Sequence, residues 1–309
     1  VNEPTNTADD TVVRTGPVPI AVRDHGGAGP PLLLLHGAGG NLADWGGLVP
    51  LLRGEHRVLA VDLRGHGRSG DGTWDFDAVL GDLDAVAAHF ALRDTAVVGH
   101  SLGGMLAGMW AARTPGCRAA VSLDGHRSAA TAARNYAGME PRRLHADLER
   151  LRAVFDAQTA MAADPLTDEQ VAALIDARRG LAAAHGADER LVVEAARRGL
   201  AATGAATRLR PGPEVAAALR DAPEFADALP SFRAVTAPFL VVLAARDLPS
   251  LPAEFGPLMA AHRAGLRRDL ADLTAARPNI VVEEIDASHG MHLERPHEVA
   301  RRITSFLPH

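Results

Sequence analysis

The chain has 309 residues, 47% of them hydrophobic, and carries a formal net charge of −6. That balance argues against a nucleic-acid partner, which needs a basic face. All 32 basic residues are arginine, which excludes lysine Schiff-base chemistry and a P-loop phosphate site. The single Cys117 has no internal disulfide partner, and no apolar run nears the roughly 20 residues of a membrane span. Residues 1–10 are polar and acidic, without the basic and apolar regions of a signal peptide, so they read as a disordered lead-in to a cytoplasmic protein.

Thr11–Thr15 and Pro19–Arg23 read as a hairpin joined at Gly16-Pro17. Strands follow at Leu32–Leu35, Val58–Val61, Ala96–Val98, Ala119–Leu123, Phe239–Leu243 and Ile280–Ile285, with helical patterns between them. Continuous apolar strands alternating with helices predict an α/β fold with a mostly parallel sheet covered on both faces. Residues 126–234 break the alternation. They are rich in Ala, Arg and Leu with helical periodicity over Leu144–Ala163, Asp168–Ala184 and Glu189–Leu200, interrupted at Pro165, Gly180, Gly204, Pro211 and Pro213. The expected organisation is a core of residues 11–125 and 235–309 with a helical cap, 126–234, inserted over the strand ends. A further helical stretch spans Ala253–Ala276, with a charged, solvated portion from Arg263 to Arg277.

The most specific signal is Gly99-His100-Ser101-Leu102-Gly103, between a β-branched run and a helix pattern rich in small residues. Strand, sharp turn and helix with a serine at the apex form a nucleophile elbow, where glycines flank the serine because the turn leaves no room for side chains. The segments Pro31–Gly40, Val58–Ser69 and Ser288–Pro296 add a glycine-rich loop after one strand, a glycine turn after the next, and a histidine loop after the last.

Taken together, these segments resemble the α/β-hydrolases, over residues 11–125 and 235–309. The resemblance implies a nucleophile, an acid and a histidine in that chain order. Ser101 is then the nucleophile and His289 the base. Asp247, beyond the strand Phe239–Leu243, is the expected acid, with Asp124 at the end of Ala119–Leu123 as the alternative. The backbone N–H groups of Ala38 and Leu102 would hold the oxyanion. Gly37 and Trp45 are candidate substrate-binding residues, Trp45 being equally readable as core. His100, the variable residue of the elbow, receives no catalytic role, and His292 and His297 are expected to face elsewhere. His36 reads as a packing residue.

Gly65–Gly70 matches G-x-G-x-x-G, but a loop follows it, so no helix N-terminus is offered to a pyrophosphate. It reads as a structural turn stabilised by Asp62 and Arg64. Tyr136, Met139, Phe155 and Phe225 in the insertion read as helix packing before pocket lining.

No cofactor or metal is implied. The expected activity is a cofactor-free serine hydrolase acting on a carboxylic ester, thioester or lactone of a small molecule. The same residues suit acyl transfer to an alcohol or amine, or cleavage of a carbon–carbon bond. Epoxide or haloalkane hydrolysis is disfavoured, because a serine stands where those relatives carry a carboxylate. A non-catalytic ligand receptor is the rival from another class, since a fold does not by itself establish activity. The oligomeric state is left open.

Overall fold

The computed structural model describes residues 10–14, 18–161, 164–204, 206–247 and 251–308. The chain opens with β1 (Thr11–Arg14), β2 (Pro19–Asp24) and β3 (Pro31–Leu35), then α1 (Val49–Leu52), β4 (Arg57–Val61), α2 (Phe76–His89), β5 (Thr95–His100), α3 (Leu102–Arg113) and β6 (Cys117–Leu123). The insertion contributes α4 (Pro141–Met161), α5 (Asp168–His185), α6 (Glu189–Arg198), β7 (Leu200–Thr203), β8 (Ala206–Leu209), α7 (Pro213–Asp221), α8 (Pro223–Ala226) and α9 (Leu229–Phe232). The core resumes with β9 (Phe239–Ala244), α10 (Gly256–Ala276), β10 (Ile280–Ile285), α11 (Met291–Glu294) and α12 (Pro296–Phe306).

Eight strands form one sheet in the order β1-β2-β4-β3-β5-β6-β9-β10. β1 pairs antiparallel with β2, and β2 with β4; every other pairing is parallel. Strand periodicity sorts the apolar residues onto two faces. Leu33, Leu35, Leu59, Val61 and Val97 pack with α2, α3 and α10. Leu32, Leu34, Val58, Ala60 and Val98 pack with α1 and α12. Burial on both faces explains why these strands are uninterrupted apolar runs. Each fully buried Leu or Val contributes about 1.5–3 kcal/mol before conformational entropy is counted.

The six predicted parallel strands are all present, Ile280–Ile285 with the expected bounds and the other five extended by a residue or two. The β1–β2 hairpin is also present, while its expected Gly16-Pro17 turn lies outside the described residues, as do residues 1–9 of the lead-in. Asp10 is described, and its carboxylate is bound by Arg23, Arg68 and Arg198. The insertion differs from expectation in two places. Gly180 lies inside α5 without ending it. β7 and β8 pair antiparallel as a two-stranded sheet, with Leu200 opposite Leu209 and Thr203 opposite Ala206.

Residues 126–234 meet the core at several places, among them Val215, Leu229 and Phe232 in the cluster with Met109 and Trp110. Leu144, Leu148 and Leu151 of α4 share a cluster with Tyr136, Phe255 and Leu258. At its other side α6 meets the turn at Leu42–Trp45: Asn41 Nδ2 donates to Ala195 O at 2.8 Å, and Arg198 Nε donates to Asp62 at 2.9 Å. Asn41 follows β3 and Asp62 follows β4, so these α6 contacts lie at the carboxyl edge of the sheet. Tyr136 belongs to the packed cluster, and Met139, Phe155 and Phe225 pack against hydrophobic clusters. Among the described residues no helix is long and apolar enough to cross a membrane.

Candidate active site

Ser101 stands between β5 and α3 with φ +53° and ψ −119°. This is a sparsely populated backbone region for a residue with a Cβ, held only where surrounding structure enforces it. The enforcement is local packing. A Cβ on Gly99 would run into the Gly103 carbonyl, and one on Gly103 into the Leu35 carbonyl. One on Gly125 would strike the Ser101 carbonyl. The Ser101 N–H donates to Leu123 O at 2.9 Å, tying the apex to the end of β6.

The loop after β3 lies beside the apex because Leu35 pairs with Gly99. A Cβ on Gly37 would come within 3.1 Å of the Ser101 Cβ and 3.0 Å of His100 Nδ1, so this loop passes the serine at backbone distance. Ala38 belongs to the same loop. Leu102 opens α3, where the first N–H groups of a helix have no intrahelical acceptor.

His289 follows β10. Its Nδ1–H donates to Asp124 Oδ2 at 2.7 Å, which leaves Nε2 as the ring's acceptor. Asp124, not Asp247, therefore supplies the carboxylate at His289. Asp124 immediately follows β6 with φ +52°, and its N–H donates to Val242 O at 2.8 Å. That turn sends its side chain across the end of β9, where the Ala244 N–H donates to Oδ1 at 2.9 Å. Asp247 lies three residues past β9, after the chain has left the sheet. Its side chain is 39% exposed and ion-paired with Arg263 of α10.

Asp124 accepts a third bond, from His126 Nε2 at 3.1 Å. Burial alone would raise its pKa. The hydrogen bonds from His126 and His289 outweigh that effect and hold the carboxyl well below the usual range. It is thus ionised across the neutral range.

His100 does not reach the chemistry as an acid or base, yet it touches the site. Its Nε2–H donates to the His289 carbonyl at 2.7 Å, joining the elbow to the histidine loop. Its ring lies 4.6 Å from that of His289 and 4.2 Å from that of His292, centroid to centroid. Burial, followed by the neighbouring His292 and His289, keeps the His100 ring from protonating in the usual range. His292 is buried behind it, and burial lowers its pKa to about 3.

Trp45 is completely buried, with its ring against His292, so it is a core residue and not part of a pocket wall. Asn41 explains the inward turn: it caps the short helix Leu42–Trp45 and directs Leu42 and Trp45 to the core. His36 is likewise internal, donating to Gly37 O at 2.8 Å and accepting from the Leu63 N–H at 3.0 Å.

The Gly65–Gly70 turn is structural, as expected. Asp62 accepts from the Leu42 and Arg68 N–H groups, both at 2.7 Å, and a Cβ on Gly67 would strike its carboxylate. Arg64 clamps Asp82 of α2. A groove of about 550 Å³ runs along α6, lined by Arg68, Arg190, Glu194, Arg197 and Arg198 among others; neither Ser101, Asp124 nor His289 lines it. His126 and Arg198 are the two contributors that sequence reasoning missed. The Asp124-Gly125-His126 spacing was the available signal for the first; nothing local marks the second.

Residues 32–302 match the model of the alpha/beta hydrolase family. Among curated relatives, the chain is 45% identical over 82 residues to a non-heme haloperoxidase of Rhodococcus erythropolis, covering 25% of this chain and 30% of that protein. It is 37% identical over 100 residues to the dihydrolipoyllysine-residue acetyltransferase component of the acetoin cleaving system of Pseudomonas putida, covering 32% and 27%. These matches span under a third of each relative's own length. The crystal structure of E-2-(acetamidomethylene)succinate hydrolase superposes over 96% of this chain and 98% of its own, with a TM-score of 0.67 and 23% identity.

Proposed function

The chain belongs to the alpha/beta hydrolase family, and on that premise we propose that it is a serine hydrolase that cleaves a carboxylic ester, thioester or lactone of a small molecule. One observation carries the reading: Ser101 is the strained apex of the elbow, and the adjacent His100 bonds the main chain of His289, whose Nδ1–H is committed to an ionised carboxylate, Asp124. A serine hydroxyl is a weak nucleophile and needs a base in the correct tautomer. The Asp124 bond places the His289 proton on Nδ1 and leaves Nε2 to accept the serine proton.

In this reading Ser101 Oγ attacks the carbonyl carbon as His289 Nε2 takes its proton. The tetrahedral oxyanion is held by the N–H groups of Ala38 and Leu102, the loop and helix start that flank the apex. Donors aimed at developing charge are typically the largest catalytic contribution. His289 returns the proton to the leaving oxygen or sulfur, and the acyl-enzyme forms. His289 next deprotonates a water as it attacks the acyl carbon, then returns that proton to Ser101 Oγ as the acid leaves and the free serine is restored. Asp124 stays ionised and stabilises the imidazolium at both stages. The insertion, seated at the carboxyl edge of the sheet, supplies the walls that choose the acyl group.

The test combines a fluorophosphonate probe with a panel of acyl esters, thioesters and lactones. The expected result is labelling of Ser101 alone and turnover of at least one class, both lost in Ser101→Ala. Turnover by Ser101→Ala above about a tenth of the wild-type kcat would overturn the assignment, since loss of a nucleophile usually costs several orders of magnitude.

A further inference from the structure

We propose that His126 is a positioning residue for the reaction: together with the Ala244 N–H it fixes the plane of the Asp124 carboxylate, and through it the tautomer and aim of His289. This rests on the serine-hydrolase reading above and adds a fourth side chain to it.

Asp124 receives three donors. Oδ2 faces His289 Nδ1 at 2.7 Å, while Oδ1 faces His126 Nε2 at 3.1 Å and the Ala244 N–H at 2.9 Å. The location of the His126 proton follows from its other nitrogen. The Arg127 N–H donates to His126 Nδ1 at 2.8 Å, so Nδ1 is an acceptor and Nε2 carries the hydrogen. His126 therefore presents a donor to the carboxylate, oriented by the main chain of the next residue.

The supports of His126 are themselves fixed. Ser122 Oγ donates to Gly125 O at 2.7 Å and accepts from the Gly125 N–H at 3.2 Å, which pins the turn between the acid and this histidine. The His126 carbonyl accepts from the Ala228 N–H at 2.9 Å, near the end of the insertion. His126 is buried, and His262 of α10 faces its ring at 6.2 Å. His262 Nε2 in turn donates to Ser128 O at 3.2 Å. The adjacent Arg127 guanidinium is occupied by Asp227 and Asp269.

The consequence is mechanical and electrostatic. The Ala244 N–H engages Oδ1 from the main chain at 2.9 Å, and His126 supplies the side-chain donor to the same oxygen. This second donor on Oδ1 stiffens the carboxylate plane and keeps Oδ2 on His289. It also draws charge away from Oδ2, which tempers the hold on the imidazolium when His289 must release its proton to the leaving group.

The experiment uses two variants and one spectroscopic signature. His126→Phe keeps the ring volume and removes the donor; His126→Gln keeps an N–H donor. We expect kcat to fall about ten- to a hundredfold in the Phe variant, the scale of losing a hydrogen bond to a charged group, with KM little changed. The Gln variant should recover most of that loss. In proton NMR of the resting enzyme, the His289 Nδ1–H resonance should move downfield in the Phe variant, as Oδ2 regains charge, and return in Gln. Equal kcat losses in both variants with an unmoved resonance would overturn the proposal, as would wild-type kcat in the Phe variant. Nitrogen-15 shifts of wild-type His126 test it without any substitution: a proton on Nδ1 instead of Nε2 overturns it. The NMR arms need no turnover, so failure of the serine-hydrolase reading and failure of this proposal are separately visible.

Discussion

Replacing Asp124 by Asn separates the two candidate acids. Asn tolerates left-handed backbone, so the φ of +52° at this position survives the change. The amide must then choose an orientation among three donors. With its oxygen in the Oδ1 position it keeps the bonds from His126 and Ala244, and its NH2 faces His289. With its oxygen toward His289 it keeps one bond, and the NH2 meets two donors. The first orientation retains more bonds, and it compels His289 Nδ1 to accept. The ring proton then moves to Nε2, where it can no longer take a proton from Ser101. A triad histidine locked in the wrong tautomer loses about 10⁴ in kcat. Asp247→Asn loses one part-exposed ion pair to Arg263, worth about 0–1 kcal/mol of stability, and should leave kcat within about twofold. The assay is initial-rate hydrolysis of an activated ester, with denaturation midpoints to confirm folding of both variants. A large loss in Asp247→Asn with Asp124→Asn near wild type would refute the reasoning.

Three further outcomes are expected. Arg198→Met leaves the fully buried Asp62 carboxylate without its cation, while Asp10 keeps Arg23 and Arg68, and should cost about 3–5 kcal/mol in urea unfolding, with partial recovery when Asp62→Asn is added; an unchanged midpoint would contradict the role given to this pair. Burial pushes the Asp44 carboxyl up from 3.8 to about 6, with the Asn41 N–H and Arg178 opposing and Asp62 adding. The folded state then binds more protons than the unfolded state between those values, so stability falls as pH rises through that window. Asp44→Asn should gain on the order of 2 kcal/mol over wild type at pH 8 and little at pH 4, read from thermal unfolding at the two pH values; an advantage at pH 4 alone would reverse the argument. Prolonged dialysis against EDTA should leave the hydrolysis rate unchanged, and a loss restored by Zn²⁺ or Mn²⁺ would show that a metal takes part.

The sheet was legible because parallel strands buried on both faces must be apolar throughout, and Leu32–Leu35 or Val58–Val61 admit few other readings. The elbow was legible because only glycine fits where the Gly103 and Leu35 carbonyls press on Gly99 and Gly103. The position of the acid was not. Chain order places an Asp after a strand, but reach depends on how the chain leaves that strand. Asp124 turns at once into left-handed backbone followed by Gly125, whereas Asp247 is carried outward to Arg263. Asp-Gly directly after a buried strand was the readable trace. Trp45 was ambiguous for a related reason: the Asn41 cap that turns it inward specifies a local bend, and the ring it meets, His292, lies 247 residues later. The β7–β8 pair escaped because neither four-residue strand alternates clearly between apolar and polar residues.

Arg198 bears on how far the insertion is a module. Its guanidinium reaches from α6 to Asp62, which also receives the N–H groups of Leu42 and Arg68. A chimera that exchanged residues 126–234 for a foreign segment would inherit Asp62 fully buried and without its cation. Grafts that bring an arginine to the same spot, or arrive with Asp62 already changed to Asn, would be the ones that fold. Swaps made for new specificity are therefore constrained by a carboxylate outside the exchanged segment.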